Sequence, residues 1–533
     1  MKLNITIASL LLLVATSCAP IFSRKKSVKF ETKDKEAKVS VYEYNFFYNN
    51  EYDIQDELRH KKNKYKLLNK SRHLVVQEKE GYKTLTTPIV PTKLNPFIFV
   101  DIAVPLVSIP ASFLGSSFFL MPASYSIFFG SWAPFYFGSF RVYNKQYTLP
   151  SLQPFPKHKA EENYISTGEV KFDVKPENMK RVYSSSMRTY IKNDVYSTNN
   201  TDSLSFISLT LNESINEKLN KYGYIETSNI FTQLENPYKL SLNISAITEV
   251  NAGNYYSIEV KLKWDLHYNY SSKPFFSFEN TASSNWQFNN KRKFAELRHE
   301  QIDDAIELSL ISFFNKNNIQ GIIDKEIENY ATQKANWEII KIKGVDETSE
   351  LDIANSLKAA VTVKLKDGHG SGFFISNDGY LITCFHVIGD KETNIEIITS
   401  DGVGHKGKLI RSNPYFDLAL LKVDNIQSTQ IKILNDKDIR IGSEVFAIGT
   451  PKDIRLGQTI TKGIVSNIRK FKSRSFIQTD VSINKGNSGG ALVTKNGDLL
   501  GIVNAKYTGY EIEGIGFAIP GFNIEDALKI EFE

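Results

Sequence analysis

Cysteine is almost missing from this sequence: Cys18 and Cys384 are the only two in 533 residues. A small fold stapled by disulfides is therefore excluded, and stability must come from packed cores. Excess charge of one sign is missing as well. The 65 Lys and Arg nearly balance 59 Asp and Glu, for a net +6, and the basic residues are scattered, so charge makes no case for nucleic acid. A clean membrane-spanning run is also lacking. Residues 96–140 are almost uniformly apolar and aromatic with Asp101 as their only charge, yet Pro105, Pro110, Pro122 and Pro134 interrupt them before 20 apolar residues can form one helix. Metal-ligand spacing is absent too: "HEQID" at His299 lacks the second histidine of a zinc-protease helix, and no cofactor or metal is expected.

What is present begins at the amino terminus. "MKLNITIASLLLLVATSCAP" has Lys2, an apolar run from Ile5 to Ala15, and small residues ending at Cys18, the pattern of a secretory signal. The small residues before Cys18 resemble a bacterial lipobox, which makes Cys18 the expected lipidation site; ordinary signal cleavage nearby is the alternative. Ala19 stands where an inner-membrane anchor would have Asp, so the resemblance implies an outer-membrane lipoprotein facing the periplasm. Residues 1–18 are then signal peptide and 19–36 a polar tether.

A chain of this length implies two to four domains. Residues 37–90 carry short β-like runs, "KVSVYEY" and "RHLVVQEKEGYKTL", the second resembling the end of a PEGA-type β repeat. The apolar segment 96–142 is expected to associate with the membrane as a helical hairpin or interfacial anchor; a buried core between domains is the alternative. Residues 165–345 are expected to form an α+β domain. Leu204, Ile207, Leu211, Ile215 and Leu219 recur at helical spacing before Gly223. Two alternating apolar runs flank Asn251-Ala-Gly-Asn254 as in a hairpin, and a second helix is expected near Ile302–Phe314. No catalytic motif is evident in this region.

From residue 351 to 521 the texture changes to short apolar runs separated by Gly, Asn and Asp, which predicts an all-β barrel or sandwich; residues 522–533 would be a tail. Three places carry chemistry. "TCFHV" ends an apolar strand at His386, "FDLALLKV" opens one at Asp417, and "KGNSGGAL" sets Ser488 among glycines. Each has a bland reading as a packing or turn residue; together they make a stronger pattern. A neutral serine hydroxyl needs a base, which imidazole supplies near neutral pH. The imidazole needs a carboxylate to fix its tautomer. A tetrahedral oxyanion needs backbone donors, and small residues let backbone come close. Gly486 and Ser488 are the expected oxyanion donors.

The series "GSGFFIS", "TCFHVI", "DLALLKV", "AIGTP", "FIQTDVSINKGNSGGALV" and "GIGFAIP" resembles the HtrA/Deg family of chymotrypsin-fold serine proteases over about residues 351–521. The resemblance implies a double six-stranded β-barrel with His386 as base, Asp417 as its partner and Ser488 as nucleophile. It places Ser482 and Ile483 along the specificity pocket and Asn504 on the opposite wall. Neither pocket residue is acidic, so cleavage after Lys or Arg is not expected. No PDZ domain of the family's kind is expected after Pro520, so trimer formation and PDZ-linked activation are not carried over, although homo-oligomerisation is left open. The expected partners are polypeptide substrates and, through the lipid and residues 96–142, a membrane. The expected function is a membrane-tethered serine endopeptidase acting on unfolded or mislocalised envelope proteins. The competing reading is an envelope lipoprotein that binds extended peptides with little or no proteolysis.

Overall fold

The computed structural model describes residues 25–43, 56–94, 141–192, 201–225, 238–344 and 352–533, apart from short interruptions. The signal sequence, Cys18 and residues 95–140 lie outside the described residues. No helix among the described residues is long and apolar enough to cross a membrane.

The amino-terminal part is two small sheets. Strands 146–148, 25–31, 64–68 and 60–61 form one; strands 56–57, 38–43, 73–78 and 85–89 form the other. Val28, Phe30, Tyr65 and Leu67 meet Val41, Val75 and Ile89 in one core. Lys25–Glu31, expected in a tether, is therefore a strand, because Val28 and Phe30 alternate into that core. Gln146–Thr148 closes the same sheet in parallel with Lys29–Glu31, so this unit extends past the apolar segment. The two ends of that segment meet as well: Lys93–Leu94 pairs antiparallel with Arg141–Val142.

The middle domain is an α+β layer. Its long hairpin pairs Tyr238–Ala252 with Tyr255–Tyr268, as the two alternating apolar runs lead one to expect. The helices Thr201–Lys221 and Phe294–Lys316 lay Leu211, Ile215, Leu219, Ile306, Leu310 and Phe313 against the sheet, around the buried Trp264. A third helix, Ile319–Ala335, not foreseen from the sequence, starts where the Asn318 side chain accepts from the Gly321 N–H at 3.1 Å.

The carboxy-terminal part holds two closed antiparallel barrels of six strands each. The first runs in the order 360–365, 368–374, 380–383, 418–423, 404–413, 395–398; the second in the order 444–449, 459–471, 474–479, 516–520, 499–506, 491–494. Their continuous apolar strands have two faces to bury. In Leu418–Val423, Ala419, Leu421 and Val423 fill the first barrel, while Leu418 and Leu420 point out into a core shared with the second. In the second barrel Leu492, Val503 and Ala518 face inward, and Val493, Ile502, Phe517 and Ile519 join the shared core. Period-two alternation thus both fills each barrel and glues the pair. The expected tail is part of this packing. Ile524, Ala527 and Leu528 lie at helical spacing on Asn523–Leu528 and are buried, and Ile530–Phe532 pairs in parallel with Ile340–Ile342.

Candidate active site

The register of one strand pair brings the acid to the base. Tyr380–Thr383 and Leu418–Val423 are antiparallel, with Thr383 opposite Ala419. The residues leaving the first strand therefore sit beside those entering the second. His386, on the single turn Phe385–Ile388, is held there by Asp417 at two points. The carboxylate accepts from the His386 backbone N–H at 2.8 Å and lies 2.7 Å from Nδ1. Asp417 has a left-handed backbone, φ 58°, which aspartate tolerates better than most residues, and its carbonyl accepts from the Phe385 N–H at 3.1 Å. Burial opposes charging of His386, but the Asp417 charge and hydrogen bond outweigh it, and the imidazole pKa stands above its ordinary value.

Ser488 comes from the second barrel, in the loop between Arg474–Thr479 and Ala491–Thr494. A β-carbon on Gly489 would lie 2.2 Å from the Ser371 carbonyl oxygen, one on Gly490 2.3 Å from that of Ile448, and one on Gly486 2.4 Å from that of Thr450. Gly486 and Gly489 also have positive φ, 102° and 84°. The glycines are there because backbone passes where any side chain would collide. Among the described residues, neither Gly486 nor Ser488 gives its backbone N–H to a protein acceptor, so both donors remain free at the site.

Two residues tighten this arrangement without having been assigned such a part from the sequence. Ser371 is fully buried: its hydroxyl accepts from the Thr450 N–H and donates to the Gly486 carbonyl, while its own N–H donates to the Ser488 carbonyl, at 2.7, 2.8 and 2.8 Å. It fixes the nucleophile loop to the first barrel; the signal for it was the serine between glycines in "GSGFF". Asn504, expected along the substrate pocket, sends its amide to Asp417 Oδ2 at 2.5 Å, and its carbonyl accepts from the Ser488 hydroxyl at 3.1 Å. Of the other pocket residues, Ser482 is exposed, whereas Ile483 is buried against Gly516 in the second barrel. On the far side of Gly486, Lys364, Leu365, His369, Pro451, Leu456 and Lys485 help line an open groove of about 870 Å³.

Cys384, His386 and Asp417 place ligand atoms within 4.8 Å of one another. The set suits a metal ion poorly. Asp417 is committed to His386 and Asn504, and burial, reinforced by the Asp417 charge, holds the Cys384 thiol pKa far above its ordinary value.

Comparison with known proteins agrees with this architecture. Residues 370–502 match the family described as trypsin-like peptidase domain. The periplasmic serine endoprotease DegP of Escherichia coli K12 is 43% identical over 160 residues, 28% of this chain and 33% of that protein. The periplasmic pH-dependent serine endoprotease DegQ of the same strain is 44% identical over 162 residues, 29% of this chain and 35% of that protein. The magnetosome formation protease MamE of Magnetospirillum gryphiswaldense is 36% identical over 170 residues, covering 30% and 22%. The match to DegP and DegQ spans about a third of their length. The carboxy-terminal part of the chain is thus a trypsin-like peptidase domain, similar over that stretch to DegP-type endoproteases.

Proposed function

We propose that the protein is a serine endopeptidase of the cell envelope. In this reading Ser488 is the nucleophile, His386 the general base, Asp417 its orienting acid, and the N–H groups of Gly486 and Ser488 the oxyanion donors. The observation that carries it is the pair of hydrogen bonds that the Asp417 carboxylate accepts from His386, with Asn504 joining that carboxylate to the Ser488 hydroxyl and, among the described residues, no protein acceptor on the Gly486 and Ser488 N–H groups. The carboxylate holds the proton on Nδ1 and leaves Nε2 to accept the hydroxyl proton as Oγ attacks a peptide carbonyl. The acyl-enzyme then forms as the protonated imidazole gives its proton to the departing amine, and water repeats the sequence in reverse. The Ser488 hydroxyl donates to the Asn504 carbonyl in this structure, so attack requires that it be redirected to His386 Nε2.

Unfolded or mislocalised envelope proteins are the proposed substrates. The relatives named as periplasmic endoproteases support that setting. Lipidation at Cys18 and membrane association of residues 96–142 would tether the enzyme. The meeting of Lys93–Leu94 with Arg141–Val142 supports this, since it lets the intervening apolar chain leave and return at one place. The orientation of the Ser488 hydroxyl favours, as the competing reading, a domain that binds extended peptides and rarely cuts them.

One experiment separates the two. Wild type and Ser488→Ala are treated with a fluorophosphonate probe and, in parallel, given a denatured protein. Labelling and cleavage should both be present in the wild type and vanish in the variant, with a loss on the order of a millionfold in kcat for a missing nucleophile. Absence of cleavage by the wild type would favour the binding reading.

A further inference from the structure

One side chain that faces His386 comes from outside the barrels. The middle-domain strand Tyr255–Tyr268 is joined to Phe276–Ser283 by a short loop. In that loop the ring of Tyr270 lies over the His386 imidazole, with centroids 4.8 Å apart and planes tilted by 38°.

The loop is gripped at both ends of the His–Asp pair. Asp390, four residues after His386, accepts from the Ser272 hydroxyl at 2.7 Å, the Ser271 hydroxyl at 3.1 Å, the Lys273 backbone N–H at 3.2 Å and the Ser272 N–H. On the other side Tyr268 meets the edge of Tyr415 at 6.3 Å, two residues before Asp417. The Arg474 guanidinium lies 5.4 Å over the Tyr415 ring and 5.5 Å over Phe476. Partial desolvation where it meets the barrels, with the nearby Asp417 charge, raises the Tyr270 phenol pKa above its ordinary value.

Tyr270 does not stop the site. Ser488 remains half-exposed, and Tyr270 itself keeps 36% of its surface open. A wall is a different thing from a plug, and the path of a substrate shows what this wall would touch. On the side of Ala491–Thr494, the pairing of Leu499–Lys506 stops at Ile502; on its other side it continues through Ala505 and Lys506 to Phe517 and Gly516. Among the described residues no strand pairs with that side beyond Val503, where the Asn504 carbonyl takes the Ser488 hydroxyl, so an extended peptide that displaces that hydroxyl can add there as a strand. Successive side chains of that peptide alternate in direction. If the residue to be acylated points toward Ile483 and Gly516, the residue before it points the opposite way, at His386 and the ring upon it.

We propose that Tyr270, contributed by the middle domain, walls the groove beside His386 and selects small residues immediately before the residue whose carbonyl Ser488 attacks. This rests on the endopeptidase reading. The middle domain then sets part of the cleavage specificity of a peptidase domain to which it does not belong.

The test maps cleavage sites by mass spectrometry in digests of a mixture of denatured proteins, made with full-length wild type, Tyr270→Ala, Tyr270→Phe and Asp390→Ala. The frequencies are normalised within each digest, so a loss of folded enzyme in a variant does not distort them. In Tyr270→Ala, large residues such as Leu and Phe should rise at the position before the acylated residue by roughly tenfold relative to Ala and Gly, the scale at which a pocket discriminates by size. Tyr270→Phe should keep the wild-type profile, since the ring and not the hydroxyl forms the wall. Asp390→Ala, which releases the clasp, should shift the profile in the same direction as Tyr270→Ala. An unchanged profile in Tyr270→Ala would overturn the proposal, as would faster cleavage at every site alike, which would make the loop a cover. If the wild type cleaves nothing, the endopeptidase reading fails and this proposal with it; cleavage with an unchanged profile sinks this proposal alone.

Discussion

The barrels and the middle domain both deliver side chains to the neighbourhood of His386, but by opposite means. In the barrels, position comes from backbone. Thr383 pairs with Ala419 and fixes where His386 and Asp417 meet, and glycines at 486, 489 and 490 let strands approach within distances no β-carbon could share. In the middle domain, position comes from side-chain grip at the end of a hairpin: a ring, two hydroxyls and a carboxylate on the other partner. Backbone placement tolerates almost no substitution. A gripped loop can lose one contact and persist, so the first region should fail sharply under mutation and the second gradually.

Gly486→Ala gives the sharpest break. Its β-carbon would fall 2.4 Å from the Thr450 carbonyl oxygen and 3.0 Å from the Pro451 carbonyl carbon, at φ 102°. Both are backbone atoms of the neighbouring loop and cannot swing aside. The loop must therefore shift and carry the Gly486 N–H off its aim, and losing one oxyanion donor costs roughly a hundredfold to a thousandfold in kcat. Steady-state cleavage of a peptide found in the wild-type digest would measure it. A loss of less than threefold would mean that the Gly486 N–H is not an oxyanion donor.

A smaller, graded effect comes from pH. Burial works against the charged imidazole of His386 and Asp417 prevails, so the folded pKa lies above the ordinary one. Catalysis needs the neutral ring, so kcat/KM should fall tenfold per unit below that raised pKa, with a midpoint above the roughly 6.5 of a free histidine. Stability runs the other way. The folded state holds this proton more tightly than the unfolded state does. The contribution of His386 is therefore complete below the unfolded pKa and disappears as pH rises through the folded one. Thermal melts of Ser488→Ala across this range, compared with the same variant carrying His386→Gln, isolate that term. An activity midpoint below that of free histidine would contradict the Asp417 assignment.

The same contrast decides what could be read from the sequence. Short motifs report backbone demands, because a glycine pair or a histidine ending an apolar strand is visible in one dimension. Hence the short apolar runs of residues 351–521 point to an all-β barrel or sandwich, and the motifs among them carry the resemblance that implies the double barrel and the pairing of His386 with Asp417. Asn504 is expected on the wall of the substrate pocket, and nothing local in the sequence says that its side chain turns toward Asp417. Residues 25–31 read as polar tether, since five charged or polar residues mask the alternation of Val28 and Phe30. The carboxy-terminal turn was missed because six residues are too few for periodicity to speak. Tyr270 gave no signal at all: a ring placed by contacts over a hundred residues away has no motif, and only tertiary structure brings it to His386.

The smallest effect on cleavage should come from the far side of the middle domain, where Lys83 of the amino-terminal sheets enters an acidic pocket. Its ammonium pairs with Asp304 at 2.6 Å and with Glu307, and Glu307 also accepts from Tyr222 at 2.8 Å and Lys221 at 3.2 Å. Burial would raise the Glu307 carboxyl, yet Lys83, Tyr222 and Lys221 together hold its pKa down at about 2. Lys83→Met would leave two acids near each other with most of their countercharge gone, at a cost of about 3 kcal/mol. Calorimetry should show the transition that includes this joint moving to lower temperature. The depressed carboxyl supplies stability above its unfolded pKa of roughly 4.3 and loses it as pH falls toward the folded value, so the variant should show a flatter acid dependence between those limits. Cleavage sites and rates should stay as in the wild type, because Tyr270 is held to the peptidase domain through Asp390 and Tyr415, not through Lys83. A changed cleavage profile in Lys83→Met would mean that the grip on His386 is transmitted through the whole middle domain, and the distinction between a backbone-built site and a locally gripped loop would have to be abandoned.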